Sequence, residues 1–191
     1  MIKKRLAIFA SGSGSNALNL VDFFANHAEI EIGILISNKK EAPVVEACER
    51  LGLDVFVLDN EKVSQANVLS SICQNQGIDF VILAGYLRKI PDEFIAEYPN
   101  RIINIHPSLL PNFGGPGMYG MRVHQAVKES GKNNTGISIH LVNQEYDKGQ
   151  LIAQFYCSVD NADTSEMIAK KVQILEHTYF PTVVENYIKL L

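Results

Sequence analysis

Short apolar runs alternate with longer amphipathic stretches over the first two-thirds of the chain. The apolar runs are rich in Ile, Val, Leu and Phe and predict five strands, over residues 6–10, 31–37, 54–58, 80–84 and 101–105. Between them, apolar residues recur at helical spacing and predict four helices, over residues 17–26, 42–51, 64–75 and 92–97. Strands that alternate with helices are typical of right-handed crossovers, so this part predicts a mostly parallel sheet with helices on both faces.

The last third of the chain has a different pattern. It predicts a helix over residues 121–130, then two strands over 135–143 and 150–158 that are joined by a turn at 146–149 and pair antiparallel. Thr164 has the character of an N-cap for a long amphipathic helix towards the C-terminus, which we expect Pro181 to interrupt or kink. The predicted fold class is α/β: one Rossmann-like domain, 1–191, with an open, mostly parallel sheet and an antiparallel strand pair near its end.

Composition narrows the possible classes of protein. The 191 residues are 47% hydrophobic and 20% charged, which is ordinary for one globular domain, and a net charge of -4 argues against a nucleic-acid binder with a broad basic face. The three cysteines, Cys48, Cys73 and Cys157, are far apart, which favours reduced thiols over disulfides or a zinc site. No run approaches the roughly 18 apolar residues of a membrane span, and no signal peptide is evident, so we expect a cytoplasmic protein.

A glycine-rich loop, SGSGSN at residues 11–16, follows the first predicted strand directly and precedes a helix. Small residues let backbone N–H groups approach an anion, and the helix dipole favours negative charge there. The loop lacks the GxGxxG pattern and the lysine of a P-loop, and Ser37-Asn38-Lys39 stands where a dinucleotide site needs an acidic residue. The pattern therefore favours a single phosphate monoester over NAD; a plain tight turn before a helix is the alternative.

Asn104 and His106 lie at the end of the fifth predicted strand. They occupy alternate positions of an extended segment, so their side chains point the same way, and Pro107 favours an extended conformation for His106. Ligands of open parallel sheets collect outside the carboxyl ends of the strands. One histidine at such a place is more often structural than functional, so further features are needed to assign a role.

Two features later in the chain point to a functional role for His106. In the predicted strand that starts at Thr135, Gly136, Ser138 and His140 share one face, which predicts a half-buried strand with a polar side towards a cleft. Asp147 follows in the next turn, and a glycine-rich segment over 114–120 suits a mobile cover.

An amide, an imidazole and a carboxylate that meet at a cleft can catalyse acyl transfer without a covalent intermediate. We expect Asp147 to keep the imidazole of His106 protonated, so that it and the Asn104 amide stabilise a tetrahedral oxyanion. A nucleophilic triad is disfavoured because the chain offers neither GxSxG nor a cysteine near His106. A zinc site made of His106, His140 and Asp147 is conceivable, but their spacing matches no metal-site pattern.

Five motifs carry a resemblance to a known family. They are SGSGSN at 11–16, FVILAGYLRKI at 80–90, INIHPSLLP at 103–111, GISIHLVNQEYDKGQLI at 136–152 and QILEHTYFP at 173–181. Over essentially its whole length the chain resembles the phosphoribosylglycinamide formyltransferases, also called glycinamide ribonucleotide transformylases, of the folate-dependent formyltransferase family. The resemblance implies the formyltransferase fold, with a phosphate-binding half over 1–100 and a catalytic and folate-binding half over 101–191.

The resemblance also implies a reaction. The amine of N1-(5-phospho-D-ribosyl)glycinamide would attack the formyl group of 10-formyltetrahydrofolate directly, through a tetrahedral intermediate, in de novo purine biosynthesis. Asn104 and protonated His106 would hold the oxyanion, while Asp147 would pair with His106 and organise a water that relays protons.

Binding residues follow from the same resemblance. The residues that would hold the ribonucleotide are Gly14, Ser15 and Asn16 on the phosphate, Glu176 on the ribose hydroxyls and Gln173 nearby. The residues beside the pterin would be Leu87, Arg88, Ile90, Asn104 and Val142, with Ser138 and His140 supporting the cleft. The family implies no metal, small-molecule substrates without nucleic acid or membrane, and a monomer or a homodimer.

Three rivals remain at this point. Methionyl-tRNA formyltransferase would need an additional C-terminal domain and a basic surface, and formyltetrahydrofolate hydrolase usually carries an N-terminal regulatory domain; we expect neither in an acidic chain of 191 residues whose first strand begins near Leu6. From a different class, the chain could be a catalytically silent nucleotide-binding module. The presence of Asn104, His106 and Asp147 argues against that.

Overall fold

The structure, a computed structural model, describes residues 3–191. The strands are β1 (Lys4–Phe9), β2 (Ile30–Ser37), β3 (Asp54–Val57), β4 (Phe80–Leu83), β5 (Ile102–His106), β6 (Asn134–Leu141) and β7 (Leu151–Ser158). They form one sheet in the order β3-β2-β1-β4-β5-β6-β7. Pairing is parallel from β3 to β5, whereas β6 and β7 are antiparallel. The predicted fold class is therefore confirmed.

Six α-helices accompany the strands. They are α1 (Ser15–Phe24), α2 (Pro43–Arg50), α3 (Ala66–Asn75), α4 (Asp92–Glu97), α5 (Met121–Glu129) and α6 (Ser165–Lys189), with a short 3₁₀ turn at Lys62–Ser64 before α3. The ends of the strands and of α1 to α5 lie within two residues of the predicted ones, and α6 begins directly after the predicted N-cap Thr164. Among the described residues, no helix combines the length and apolar character that crossing a membrane requires.

The chain divides into two compact units, one that ends at Asn104 and one that begins at Ile105. In the first unit the middle of β1 is wholly buried, and Ile8 lies beside Ile82 of β4. Burial on both faces explains why β1 and β4 are continuous apolar runs rather than alternating ones. The ring of Phe9 packs edge-on against Tyr86, with centroids 5.3 Å apart.

The second unit is built on the β6–β7 pair. Gly136 lies opposite Tyr156, and a Cβ atom at Gly136 would overlap the backbone carbonyl of Phe155, so only glycine fits there. The predicted half-buried character of β6 is wrong, because every residue from Thr135 to Leu141 is buried. The hydroxyl of Ser138 and Nδ1 of His140 tolerate this burial because they are hydrogen-bonded, as described below, whereas the buried Oγ1 of Thr135 has no hydrogen-bond partner among the described residues.

Helix α6 continues through Pro181, so the expected interruption is wrong. A proline inside a helix removes one hydrogen bond and costs about 3 kcal/mol in an exposed host. Here Phe180 and Pro181 are both buried, and this apolar burial offsets the loss. Thr164 caps the helix as predicted, since its hydroxyl accepts a hydrogen bond from the N–H of Met167.

Candidate active site

Gly14, the last residue of the glycine-rich loop before α1, occupies a position that only glycine fits. Gly14 has φ 77°, in the left-handed region, and an added Cβ would overlap the side chain of Val44. It is the N-cap of α1, where it has no side chain to offer the first-turn N–H groups. This is the local geometry that an anion-binding loop requires.

Ser11 connects the glycine loop to the chain that follows β4. Its hydroxyl donates to Oδ1 of Asn38 at 2.6 Å and accepts from the backbone N–H of Leu87 at 2.9 Å. The N–H of Ser11 also donates to the carbonyl of Gly85 at 3.1 Å. The predicted pterin-binding segment is thus fixed to the loop by two hydrogen bonds. Ser11 was not among the predicted site residues, although the SGSGSN motif contains it.

The three predicted pterin-binding residues after β4 differ in exposure. Leu87 and Arg88 are exposed, whereas the side chain of Ile90 is buried. Ile90 could therefore contact a ligand mainly through its backbone.

His106 is the last residue of β5, and its imidazole is buried. Nε2 lies 2.8 Å from the carbonyl oxygen of Phe113. A carbonyl can only accept, so Nε2 carries a proton and donates it. Nδ1 faces Oδ2 of Asp147 at 3.6 Å. The neutral ring consequently presents an unprotonated nitrogen to the carboxylate, at a separation beyond normal hydrogen-bonding distance.

Asp147 is held in place by the glycine-rich segment. The N–H of Gly115 donates to its Oδ2 at 2.8 Å, and a Cβ at Gly114 would lie 3.2 Å from Cβ of Asp147. Asp147 itself has φ 54°, an uncommon backbone conformation that aspartate tolerates better than most residues. The carboxylate is mostly buried, with a side-chain exposure of 12%.

His140 approaches the same carboxylate from β6. Its Nε2 lies 3.7 Å from Oδ1 of Asp147, while its Nδ1 donates to the carbonyl of Leu141 at 2.8 Å. Each carboxylate oxygen thus faces one imidazole, and each imidazole is oriented by a backbone carbonyl. The predicted residues His106, Asp147 and His140 form one cluster in the second unit.

Burial decides the protonation of His106. It lowers the pKa of His106 below 6.5, while Asp147 and the bond to Phe113 raise it only in part and His140 lowers it further. The direction of this shift argues against the expectation that Asp147 keeps the imidazole protonated, because desolvation outweighs the attraction. For Asp147, burial raises the pKa, but the nearby imidazoles of His140 and His106 and the hydrogen bond from the N–H of Gly115 lower it more, so the net shift is downward.

Ser138 supports the chain that follows His106. Its hydroxyl donates to the carbonyl of Ser108 at 2.6 Å and accepts from the N–H of Leu110 at 2.9 Å. It is fully buried, which agrees with a supporting part in the second unit.

The other predicted site residues are placed as follows. Asn104 lies in β5, partly exposed and paired with Leu83 of β4. Val142 directly follows β6 and is half-buried. On α6, Gln173 is exposed and Glu176 is partly exposed. Their roles stay predictions.

Several contacts of the cluster involve main-chain groups. The carbonyl of Phe113 and the N–H of Gly115 are hydrogen-bond partners of His106 and Asp147. The residue types in the sequence do not reveal such partners, because almost every residue has a backbone carbonyl and N–H. Within residues 3–191, no group of three or more His, Cys, Asp or Glu side chains is arranged to hold a metal ion. The zinc alternative thus gains no support from the described part of the chain.

Comparison with known proteins agrees with this fold. A family model described as formyl transferase matches residues 4–184. The chain belongs to this family.

Individual proteins of known name are similar to the chain over nearly its whole length. The chain is 41% identical over 188 residues to the chloroplastic phosphoribosylglycinamide formyltransferase of Arabidopsis thaliana, which covers 95% of this chain and 64% of that protein. It is 32% identical to phosphoribosylglycinamide formyltransferase of Bacillus subtilis, over 98% of this chain and 96% of that one. The crystal structure of the Bacillus halodurans enzyme of the same name superposes with a TM-score of 0.86 at 34% identity, covering 96% of this chain and 94% of that chain. The chain spans about two-thirds of the length of the plant relative, and nearly all of the bacterial ones.

Proposed function

We propose that the protein transfers the formyl group of 10-formyltetrahydrofolate to the amine of N1-(5-phospho-D-ribosyl)glycinamide, a step of de novo purine biosynthesis. The observation that carries the proposal is the buried pair formed by Asp147 and by His106 of the INIHPSLLP segment, in a member of the formyl transferase family. The names of the relatives in Arabidopsis and Bacillus support formyl transfer to phosphoribosylglycinamide.

The chemistry follows from the protonation of the cluster. The amine nitrogen attacks the formyl carbon, a C–N bond forms, and the carbonyl oxygen gains negative charge. The Asn104 amide donates to this oxyanion. His106, neutral beforehand, takes a proton from the attacking amine at Nδ1, and Asp147 offsets the charge of the imidazolium that results. The adduct then collapses as its bond to N10 of the folate breaks, and N10 receives the proton that His106 took up, which leaves the imidazole neutral again.

In this proposal the ribonucleotide is bound by residues of two elements. Its phosphate lies on the N–H groups of Gly14, Ser15 and Asn16 and on the side chains of Ser15 and Asn16, supported by the left-handed Gly14 at the start of α1. Glu176 accepts hydrogen bonds from the ribose hydroxyls, with Gln173 close by.

The folate is bound through main chain and apolar surface. Leu87 and Arg88 contribute exposed side chains, and Ile90 and Val142 contribute backbone groups beside the pterin, together with Asn104. Ser138 and His140 support the cleft from β6, since one anchors the chain after His106 and the other faces Asp147.

We also infer a reducing compartment such as the cytoplasm. Cys48, Cys73 and Cys157 are free thiols, and burial raises the pKa of Cys48 to about 11, which keeps it unreactive. The proposed partners are the two small-molecule substrates, with the protein acting as a monomer or a homodimer.

A spectroscopic assay of folate turnover tests the proposal, run with and without the ribonucleotide. We expect turnover only when both substrates are present, with the formylated ribonucleotide identified by mass spectrometry in a one-to-one ratio to the folate product. A reaction that releases formate and ignores the ribonucleotide would identify a hydrolase. If purified, folded protein turns over neither substrate, the silent binding module becomes the better description.

A further inference from the structure

Gln154 of β7 lies opposite Ser138 of β6 in the strand register. Its side-chain amide reaches past the strand pair. Nε2 donates to the carbonyl of Leu110 at 3.0 Å and to Oγ of Ser138 at 2.8 Å. An exposed edge-strand glutamine commonly has a solvated amide, whereas this amide bonds to two buried residues.

These contacts complete the hydrogen bonding of Ser138. A hydroxyl has one proton and two lone pairs. The proton of Ser138 goes to the carbonyl of Ser108, and its lone pairs accept from Leu110 N–H and Gln154 Nε2. The N–H of Leu110 is therefore hydrogen-bonded to Ser138 and its carbonyl to Gln154, so both backbone groups of Leu110 are anchored to the β6–β7 pair.

The anchored residues belong to segment 108–113, which leads from His106 to its own hydrogen-bond acceptor. Within it, the hydroxyl of Ser108 donates to the carbonyl of Asn112 at 2.7 Å, and the N–H of Asn112 donates to the carbonyl of Leu109 at 3.1 Å. The next carbonyl, that of Phe113, accepts the Nε2 proton of His106. The position of this carbonyl thus depends on how segment 108–113 is anchored.

A neutral imidazole can carry its proton on either nitrogen, and the hydrogen bond at one nitrogen selects the tautomer. The Phe113 carbonyl selects Nε2–H and leaves Nδ1 unprotonated opposite Asp147. We propose that Gln154 is a positioning residue: its amide anchors segment 108–113, so that Phe113 fixes the Nε2–H tautomer of His106 and Nδ1 is the reacting nitrogen. This rests on the proposed function only in that His106 is taken as the proton carrier.

Other groups also influence His106, and none of them is changed by substituting Gln154. Asp147 faces it from the turn between β6 and β7, His140 acts on it from β6, and His124 of α5 is electrostatically coupled to it. A shift in the behaviour of His106 on mutating Gln154 would therefore be transmitted by segment 108–113.

Two variants test the proposal. Gln154→Met keeps the length of the side chain without any polar group, and Gln154→Glu keeps the shape but replaces the donor with an acceptor. Gln125→Met is the matched control, because the amide of Gln125 donates to Glu129 on the exposed face of α5. Each variant is first checked for a wild-type circular-dichroism spectrum and a melting temperature within a few degrees of wild type.

The first measurement is ¹⁵N NMR of the histidine ring nitrogens at pH 7.5. We expect wild type and Gln125→Met to show His106 as the Nε2–H tautomer, and both Gln154 variants to show a mixture.

The second measurement is steady-state kinetics. We expect kcat of the Gln154 variants to fall about tenfold, which is the effect of about 1.4 kcal/mol on the barrier, with KM for the ribonucleotide changed less than about twofold. The acid limb of the kcat profile should move to lower pH, because the Phe113 bond favours the charged ring.

Folded Gln154 variants with an unchanged His106 tautomer would overturn the proposal, whatever their activity. So would equal losses of activity in Gln125→Met. If Gln154→Met does not fold, the isosteric Gln154→Glu decides alone. Since the NMR measurement needs no turnover, a changed tautomer in a protein that transfers no formyl group would reject the proposed function and retain the positioning role.

Discussion

Oδ2 of Asp147 lies 3.6 Å from Nδ1 of His106, a separation that leaves room for attraction without a direct hydrogen bond. Both groups are fixed by the backbone, Asp147 by the N–H of Gly115 and His106 by the carbonyl of Phe113. The two facing atoms are therefore oriented towards one another, and neither has its hydrogen-bonding capacity used by the other. A reacting group can accept or donate a proton there, which is what the proposed transfer requires.

Removal of the His106 imidazole or the Asp147 carboxylate should affect kcat far more than the affinity for the ribonucleotide. We expect His106→Ala and Asp147→Asn each to lower kcat about 10²- to 10⁴-fold, the usual range for a lost proton-transfer group. Ribonucleotide affinity, measured by calorimetry, should change less than about threefold. Asp22→Asn, on the exposed surface of α1, controls for the loss of a carboxylate. Equal losses in affinity and kcat would contradict the assignment of these residues to the chemical step.

Stability should fall as the pH is lowered below neutrality. Burial lowers the pKa of both His106 and His124 below 6.5, so the unfolded chain binds protons that the folded protein rejects. Above pH 6.5 these two histidines do not lower the free energy of unfolding. They lower it progressively as the pH falls through and below that value. Each group can contribute a slope of up to about 1.4 kcal/mol per pH unit. Urea unfolding between pH 7.5 and 5 measures it.

His124→Phe isolates one of these contributions. The ring of His124 is buried, so phenylalanine preserves much of its volume and removes its titration. We expect a shallower dependence of unfolding free energy on pH than in wild type. The depressed pKa of Asp147 acts in a different window, since its contribution is lost only as the pH falls below about 3.8. An identical pH dependence in the variant would show that His124 titrates alike in both states.

Alanine should destabilise the protein at Gly14 but not at Gly12. Gly14→Ala places a side chain at φ 77° and against Val44, so we expect a loss of more than about 1 kcal/mol of unfolding free energy and a raised KM for the ribonucleotide. An alanine Cβ at Gly12 would meet nothing within 4 Å, so Gly12→Ala should change stability by less than about 0.5 kcal/mol. Chemical unfolding of the two variants makes the comparison, and equal stability losses would contradict it.

Ser11→Ala should weaken binding of the folate. The substitution leaves the N–H of Leu87 without its acceptor and frees the start of the predicted pterin segment. We expect KM for 10-formyltetrahydrofolate to rise about fivefold, as for one lost hydrogen bond of about 1 kcal/mol. Ser13→Ala is the matched control, since Ser13 is exposed in the same loop. A similar rise in both variants would assign the effect to the loop in general.

Local sequence patterns were enough to predict the elements of the fold and the principal chemical groups of the site. Periodicity and turn residues act locally, which is why the seven strands and the helices α1 to α5 of the described residues were predicted to within two residues, and why the N-cap of α6 was predicted at Thr164. Three side chains of the cluster, His106, Asp147 and His140, were also identified from their positions at a strand end, in a turn and in a strand.

The protonation and burial of these groups depend on how the whole chain packs. Whether His106 is charged depends on desolvation by the surrounding chain, which outweighs the attraction of Asp147 and cannot be obtained from spacing along the sequence. The burial of β6 on both faces and the continuity of α6 through Pro181 have the same origin, since packing overrides local preference. The partners of the cluster are the carbonyl of Phe113 and the N–H of Gly115, and backbone groups reach their positions only when the chain folds.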